Sequence, residues 1–172
     1  MPFQNLPLDC FTTVKACEVA PGILLMNANG DIGVSCVLET NGKEMKARAW
    51  LSGERHFRMT DRDDDAPVIA LEVPPSDKEW SVARLNLELV DGLAAATKND
   101  APIGVLLATP SGAYILVTKP NDSKSQCWIG LTTGRMLPPD IDHADCIILS
   151  QWVLTADVLG RPTHIASNPV KK

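Results

Sequence analysis

Apolar and polar residues alternate at every second position through much of the chain. Ile32 to Glu39 alternates in this way before Asn41-Gly42, and a second alternating run, 45–51, follows that dipeptide. A period of two is typical of a strand with one buried face. Asn-Gly is the preferred two-residue turn between antiparallel strands, because both positions tolerate the positive φ of a type I′ turn. The pattern therefore predicts a β-hairpin over 32–51.

Further short strands are predicted along the rest of the chain, separated by turns rich in Gly, Pro, Asn and Asp. Their approximate bounds are 23–26, 55–59, 68–73, 83–90, 103–109, 113–119, 126–131 and 146–154. The last of these segments also fits the start of a terminal helix. Two other segments, 76–80 and 93–98, favour short helices, the first because Ser76-Asp77-Lys78-Glu79 matches a capping box.

These elements predict an all-β fold, an antiparallel sandwich or barrel of about nine to eleven short strands with one or two short helices. Residues 1–159 form a single globular domain in this prediction, and the polar, proline-containing residues 160–172 form a flexible C-terminal tail. A repeated pattern adds a variant with two similar halves. Leu24-Leu25 followed by Gly30 recurs as Leu106-Leu107 followed by Gly112.

The charge balance argues against several classes of partner. With 16 Lys and Arg against 21 Asp and Glu, the formal net charge is −5. Such a chain gains nothing from releasing phosphate counterions, so nucleic-acid binding is not expected. An anionic membrane surface is equally unfavourable. The longest uncharged run, 101–118, is interrupted by Pro110-Ser111-Gly112, and the amino terminus lacks a secretory signal pattern. We therefore expect a cytoplasmic protein without a membrane partner.

The cysteines are predicted to be structural. There are five, an odd number, and no pair has the C-x-x-C spacing of a zinc or thioredoxin-type site. Cys36 and Cys127 fall on the apolar sides of their predicted strands. Both are therefore expected to be reduced and buried, as small core residues.

Tryptophan placement indicates a candidate interaction surface. Four of the eight aromatic residues are Trp. Trp50 falls on the same strand face as Lys46 and Arg48, and Trp128 falls opposite the apolar face of its strand. Amphipathic rings beside basic side chains are typical of protein-interface hot spots. Lys46, Arg48, Trp50 and Trp128 are therefore the candidate binding residues. The alternative is that a further layer covers these faces and makes the rings core.

A second candidate site is the acidic loop 140–146. Asp140, Asp142, His143 and Asp145 could supply oxygen and nitrogen ligands to a divalent cation. Their spacing matches no known metal motif, and the alternative is a solvated loop whose carboxylates accept hydrogen bonds from turn amides. The aspartate run at 61–65 lacks the register of a calcium loop and is interpreted as solvated.

The residues predict function only at the level of class. The favoured class is a non-enzymatic binding or assembly module that engages a protein partner or its own copy through the Trp/Arg face. The alternative is a small metal-assisted hydrolase that uses loop 140–146. No serine-hydrolase elbow or phosphate-binding loop is present. No pattern identifies a cofactor, a set of catalytic residues or a family.

Overall fold

The computed structural model describes residues 12–61, 65–71, 85–89, 101–138, 146–158 and 161–168. These residues form thirteen strands in three antiparallel sheets. The strands of sheet A are β1 (Thr12–Lys15), β2 (Leu24–Met26), β3 (Ile32–Thr40), β4 (Lys43–Trp50), β5 (Met59–Thr60) and β6 (Pro67–Leu71), in the spatial order β1-β6-β2-β3-β4-β5.

The remaining strands form two smaller sheets. Sheet C holds β7 (Leu85–Leu89), β12 (Trp152–Val158) and β13 (Arg161–Asn168), with β12 in the middle. Sheet B holds β8 (Leu106–Thr109), β9 (Gly112–Lys119), β10 (Asp122–Gly130) and β11 (Ile147–Leu149), in the order β10-β9-β8-β11. The prediction of an all-β, antiparallel fold is confirmed, and the sheets pack on one another without closing into a barrel.

The described residues contain only one helical turn, a 3-10 turn at Ala16–Glu18. The predicted helices at 76–80 and 93–98 lie outside the described residues. In the described part of the chain, no helix has the length and apolar character that crossing a membrane requires.

The main core lies between the sheets and follows from the alternation of apolar residues. Inward positions of β3 and β4 meet inward positions of β9 and β10, and β12 and β13 close one side. Cys36 and Cys127 are both buried in this cluster, as predicted. Burial raises the pKa of the Cys36 thiol to about 12 and that of the Cys127 thiol to about 11. Both are therefore protonated core residues at neutral pH.

Two parts of the chain repeat the same arrangement. The order β6-β2-β3-β4 of sheet A recurs as β11-β8-β9-β10 in sheet B. We call the described residues within 20–71 the first unit and those within 101–149 the second unit. Each central hairpin turns through an asparagine with positive φ, Asn41 at 53° and Asn121 at 60°. This is the variant with two similar halves.

The backbone hydrogen bonds that open each unit also correspond. Gly22 N donates to the carbonyl oxygen of Ser35 at 2.8 Å, and Gly104 N donates to that of Leu116 at 2.9 Å. Both glycines have a φ of 86°. The Leu-Leu repeat therefore marks a structural correspondence, whereas Gly30 lies in the β2–β3 turn and Gly112 is the first residue of β9.

The two units also interlock. Val37 N, on β3, donates to the Gly134 carbonyl at 2.8 Å, and Thr118 N, on β9, donates to the Phe57 carbonyl at 3.1 Å. Phe57 and Gly134 occupy equivalent places after the hairpins and share a positive φ, 59° and 62°. Each unit thus contributes a loop that pairs with the central strand of the other.

The structure corrects three details of the predicted elements. The strand expected at 55–59 is only Met59–Thr60, because the residues before it form a turn through Phe57. The segment 146–154 is not helical and splits into β11 and the start of β12. Residues 161–168, expected to belong to a tail, form β13 and pair with β12 along its length. β1 was not predicted.

Candidate functional site

A groove of about 630 Å³ opens on the outward face of sheet A, which is turned away from the main core. Its lining comes from the 3-10 turn, the β2–β3 turn, the end of β4, the turn that follows β4, the residue Thr60 of β5 and the start of β6. Its volume lies within the range of about 300–1,000 Å³ that is usual for ligand sites.

The floor of the groove is built by alternate residues of β4. Arg48 and Trp50 point to the outward face, since Ala47 and Ala49, which alternate with them along β4, face the main core. Both floor residues are only 5% exposed. The Trp50 indole Nε1 donates to Thr60 Oγ1 at 3.0 Å. Arg48 also interacts with other groups of the protein. The floor is therefore fixed by contacts within the chain.

The β2–β3 turn forms a polar wall whose shape is set by Asn27. The Asn27 side-chain oxygen accepts hydrogen bonds from the backbone N–H groups of Asn29 and Asp31, both at 2.9 Å. Asn27 Nδ2 in turn donates to the Asp31 carboxylate at 3.1 Å. On its other side this carboxylate lies against the backbone of Gly53, where a Cβ atom would overlap with it. Asp31 is thus a half-buried acid held in one position.

The apolar part of the lining comes from Ala16, Pro67 and Val68. Ala16 is fixed by its backbone N–H, which donates to the Ala66 carbonyl at 3.0 Å. Val68 is 4% exposed and packs with Trp50. The groove therefore offers an apolar side and a polar side to one occupant.

The charged side chains of the groove differ in accessibility. Arg48 is buried, Asp31 is half-buried, and Glu54 and Arg55 are exposed on the turn after β4. The four formal charges cancel. The three more exposed residues, Asp31, Glu54 and Arg55, carry one net negative charge, because two of them are acids.

The second unit provides an internal comparison for this face. The outward pair Ser35–Arg48 on β3 and β4 corresponds in register to Leu116–Trp128 on β9 and β10. Leu116 and Trp128 are buried in an apolar cluster on the outward face of sheet B. The position that carries a guanidinium in the first unit thus carries a packed indole in the second.

The next outward pair consists of an aromatic residue and a glycine, and these two residue types occupy opposite strands in the two units. In the first unit Trp50 lies over Gly33, where an added Cβ would be 3.0 Å from its ring. In the second unit Tyr114 lies over Gly130, where an added Cβ would be 3.2 Å from its ring. An aromatic ring over a cross-strand glycine restores packing that the glycine lacks. Trp50 therefore fills the space that Gly33 leaves on the outward face of sheet A.

The structure divides the four predicted binding residues between two surfaces. Lys46, Arg48 and Trp50 lie on the outward face of sheet A, with Lys46 exposed and its Nζ donating to the Cys17 carbonyl. Trp128 lies on the outward face of sheet B and is 8% exposed. The four residues therefore do not form one surface, and both tryptophan rings are core residues of their faces.

The predicted metal ligands Asp140, Asp142, His143 and Asp145 lie outside the described residues. Within the residues that the structure does describe, no group of three or more His, Cys, Asp and Glu side chains could hold a metal ion.

Sequence reasoning did not identify Asn27, Asp31 and Thr60 as groove residues. The sequence of 27–31 predicts only a turn, and its Asn-x-x-x-Asp pattern is the available signal, because a turn asparagine often caps nearby backbone amides. Thr60 carried no local signal, since its role depends on the pairing of β5 with β4.

The comparisons with known proteins add no assignment to this geometry. No protein-family model, curated protein or solved structure matches the chain at a significant level.

Proposed function

We propose that the protein is a binding module that holds a segment of a partner protein in the groove of sheet A. One observation carries the proposal: at the register position where the second unit packs the Trp128 indole in an apolar cluster, the first unit places Arg48 in the lining of a groove. The cross-strand neighbour, Leu116 in the second unit, is Ser35 in the first, and the Ser35 hydroxyl donates to the Val19 carbonyl at 3.1 Å. A repeated scaffold needs no groove for its own stability, so the departure supports a binding role.

The composition of the groove supports a peptide as occupant. A peptide backbone offers both donors and acceptors, which the fixed polar wall at Asn27 and Asp31 can satisfy. Its side chains can pack on the apolar wall at Pro67 and Val68. A pre-formed site loses little conformational entropy on binding, which favours affinity.

The test is selection of binders from a phage-displayed library of random heptapeptides. We expect the purified protein to enrich peptides that bind at the groove. Ala28→Trp places a large ring at the exposed rim of the groove and is expected to weaken the selected peptides by at least about tenfold. Ser111→Trp, on the exposed turn that precedes β9 of the second unit, is the matched control and should leave affinity unchanged.

Two results would overturn the proposal. One is a lack of enriched peptides, and the other is equal loss of affinity in both tryptophan variants, since that would place the peptides elsewhere. Urea denaturation of each variant verifies that it is folded. Sedimentation equilibrium of the purified chain, with and without Ala28→Trp, decides whether a second copy of the chain is the partner.

A further inference from the structure

Asp31 differs from the other charged residues of the groove because it is both accessible and fixed. Arg48 is 5% exposed and has its own interactions within the protein. Glu54 and Arg55 are exposed side chains on a turn. Asp31 is half-buried, and its carboxylate accepts a hydrogen bond from Asn27 Nδ2 and is confined by the Gly53 backbone.

A fixed carboxylate is a strong partner for a cation. Hydrogen bonds that join ionised groups are shorter and stronger than neutral ones, and a side chain that is already ordered loses less entropy when it binds. The hydrogen bond from Asn27 uses one oxygen of the carboxylate, Oδ2. A carboxylate has about four acceptor positions, so it can receive further donors from a ligand.

The surroundings of Asp31 favour a long basic side chain over a small cation. The apolar wall at Ala16, Pro67 and Val68 can cover the methylene groups of Lys or Arg while the charged end reaches the carboxylate. The chain as a whole carries a net charge of −5, which attracts a basic partner and increases its association rate.

We infer that the groove recognises a basic segment of the partner protein, in which one Lys or Arg pairs with Asp31. The inference rests on the proposed function and adds the chemistry of the occupant. An acidic or uncharged segment would leave the fixed carboxylate facing a group that cannot donate a charged hydrogen bond.

The experiment uses the peptides selected from the heptapeptide library. We expect one position of the enriched peptides to be Lys or Arg. Replacing that residue by norleucine, which keeps the apolar stem and removes the charge, should weaken binding to the intact protein by about tenfold or more. Affinity is measured by titration calorimetry. The binding site is located by the change in the NMR shift of the Trp50 indole N–H, since Trp50 lines the groove.

Asp31→Asn is the matching change in the protein, because an amide oxygen can still accept the hydrogen bond from Asn27. This variant should bind the basic peptide about tenfold more weakly and should no longer distinguish it from the norleucine peptide. Glu39→Gln removes an exposed acid at the far end of β3 and should change affinity less than twofold.

The outcomes separate this inference from the proposed function. Groove-binding peptides without a basic preference would overturn the inference and leave the proposed function standing. An equal loss of peptide affinity in Asp31→Asn and Glu39→Gln would also overturn the inference, because the attraction would then depend on the net charge of the protein and not on Asp31. If no peptide is enriched at all, both the inference and the proposed function are wrong.

Discussion

Replacing Trp50 with alanine tests whether the ring is part of the core or an available binding surface. The side chain is 5% exposed, packs with Leu25, Val68 and Ala70, and covers Gly33 on the neighbouring strand. Removing a buried Trp side chain costs about 3–5 kcal/mol in unfolding free energy. The hydrogen bond from its Nε1 to Thr60 is lost as well. Because these contributions are not additive, we expect a total loss of about 4 kcal/mol.

The assay is equilibrium unfolding in urea, followed by far-UV circular dichroism. With a slope of about 2 kcal/mol per molar urea, the midpoint should fall by about 2 M. The melting temperature should fall by about 8–16 °C, at roughly 2–4 °C per kcal/mol for a chain of this length. Lys46→Ala changes an exposed residue on the same face of β4 and should stay within about 0.5 kcal/mol of the wild type. If Trp50→Ala lowered the unfolding free energy by less than about 1 kcal/mol, the argument would be refuted, since removing a buried indole costs more than that.

Two further predictions concern the junction of the units and the buried thiols. Gly104→Ala and Gly42→Ala both place a side chain at positive φ, but a Cβ at Gly104 would overlap with the Phe57 ring whereas nothing lies within 4 Å at Gly42. We expect Gly104→Ala to reduce the unfolding free energy, measured in urea, by about 1–3 kcal/mol more than Gly42→Ala does. Equal reductions in the two variants would contradict the described contact with Phe57. For Cys36 and Cys127, the raised thiol pKa values mean that the native state keeps protons that the unfolded state releases above about pH 9. The unfolding free energy should therefore decline between pH 9 and 11, by up to about 1.4 kcal/mol per pH unit for each thiol, and the decline should be shallower in a Cys36→Ala/Cys127→Ala protein.

Local patterns predicted the parts of the fold that depend on neighbouring residues. The hairpin at Asn41-Gly42 was predictable because the alternation of its strands and the conformation of its turn both depend on residues that are close together in the sequence. The burial of Cys36 and Cys127 followed from the same alternation. β13 was missed because its sequence is mostly polar and includes Pro162.

The candidate site could be predicted only in part, for a different reason. Period-two alternation correctly placed Arg48 and Trp50 on one face of β4, but it cannot show what covers that face. The covering residues Ala16 and Val19 come from the 3-10 turn and its C-cap, and their arrangement is set by tertiary packing. The groove is lined by residues from six parts of the chain, so no continuous stretch of sequence carries its signature.

The exchange of loops between the two units has a consequence for how the chain folds. Each hairpin connects strands that are adjacent in sequence and can form within about 1–10 μs. Two other pairings join residues that are far apart along the chain: Val37 with Arg135, and Arg58 with Thr118. Each of these contacts requires the other unit to be in place. Long-range contacts of this kind slow folding, because the entropy of closing the loop is lost before the contact forms. The docking of the units is therefore expected to be the slow step, and the units to be lost together in a single cooperative unfolding transition.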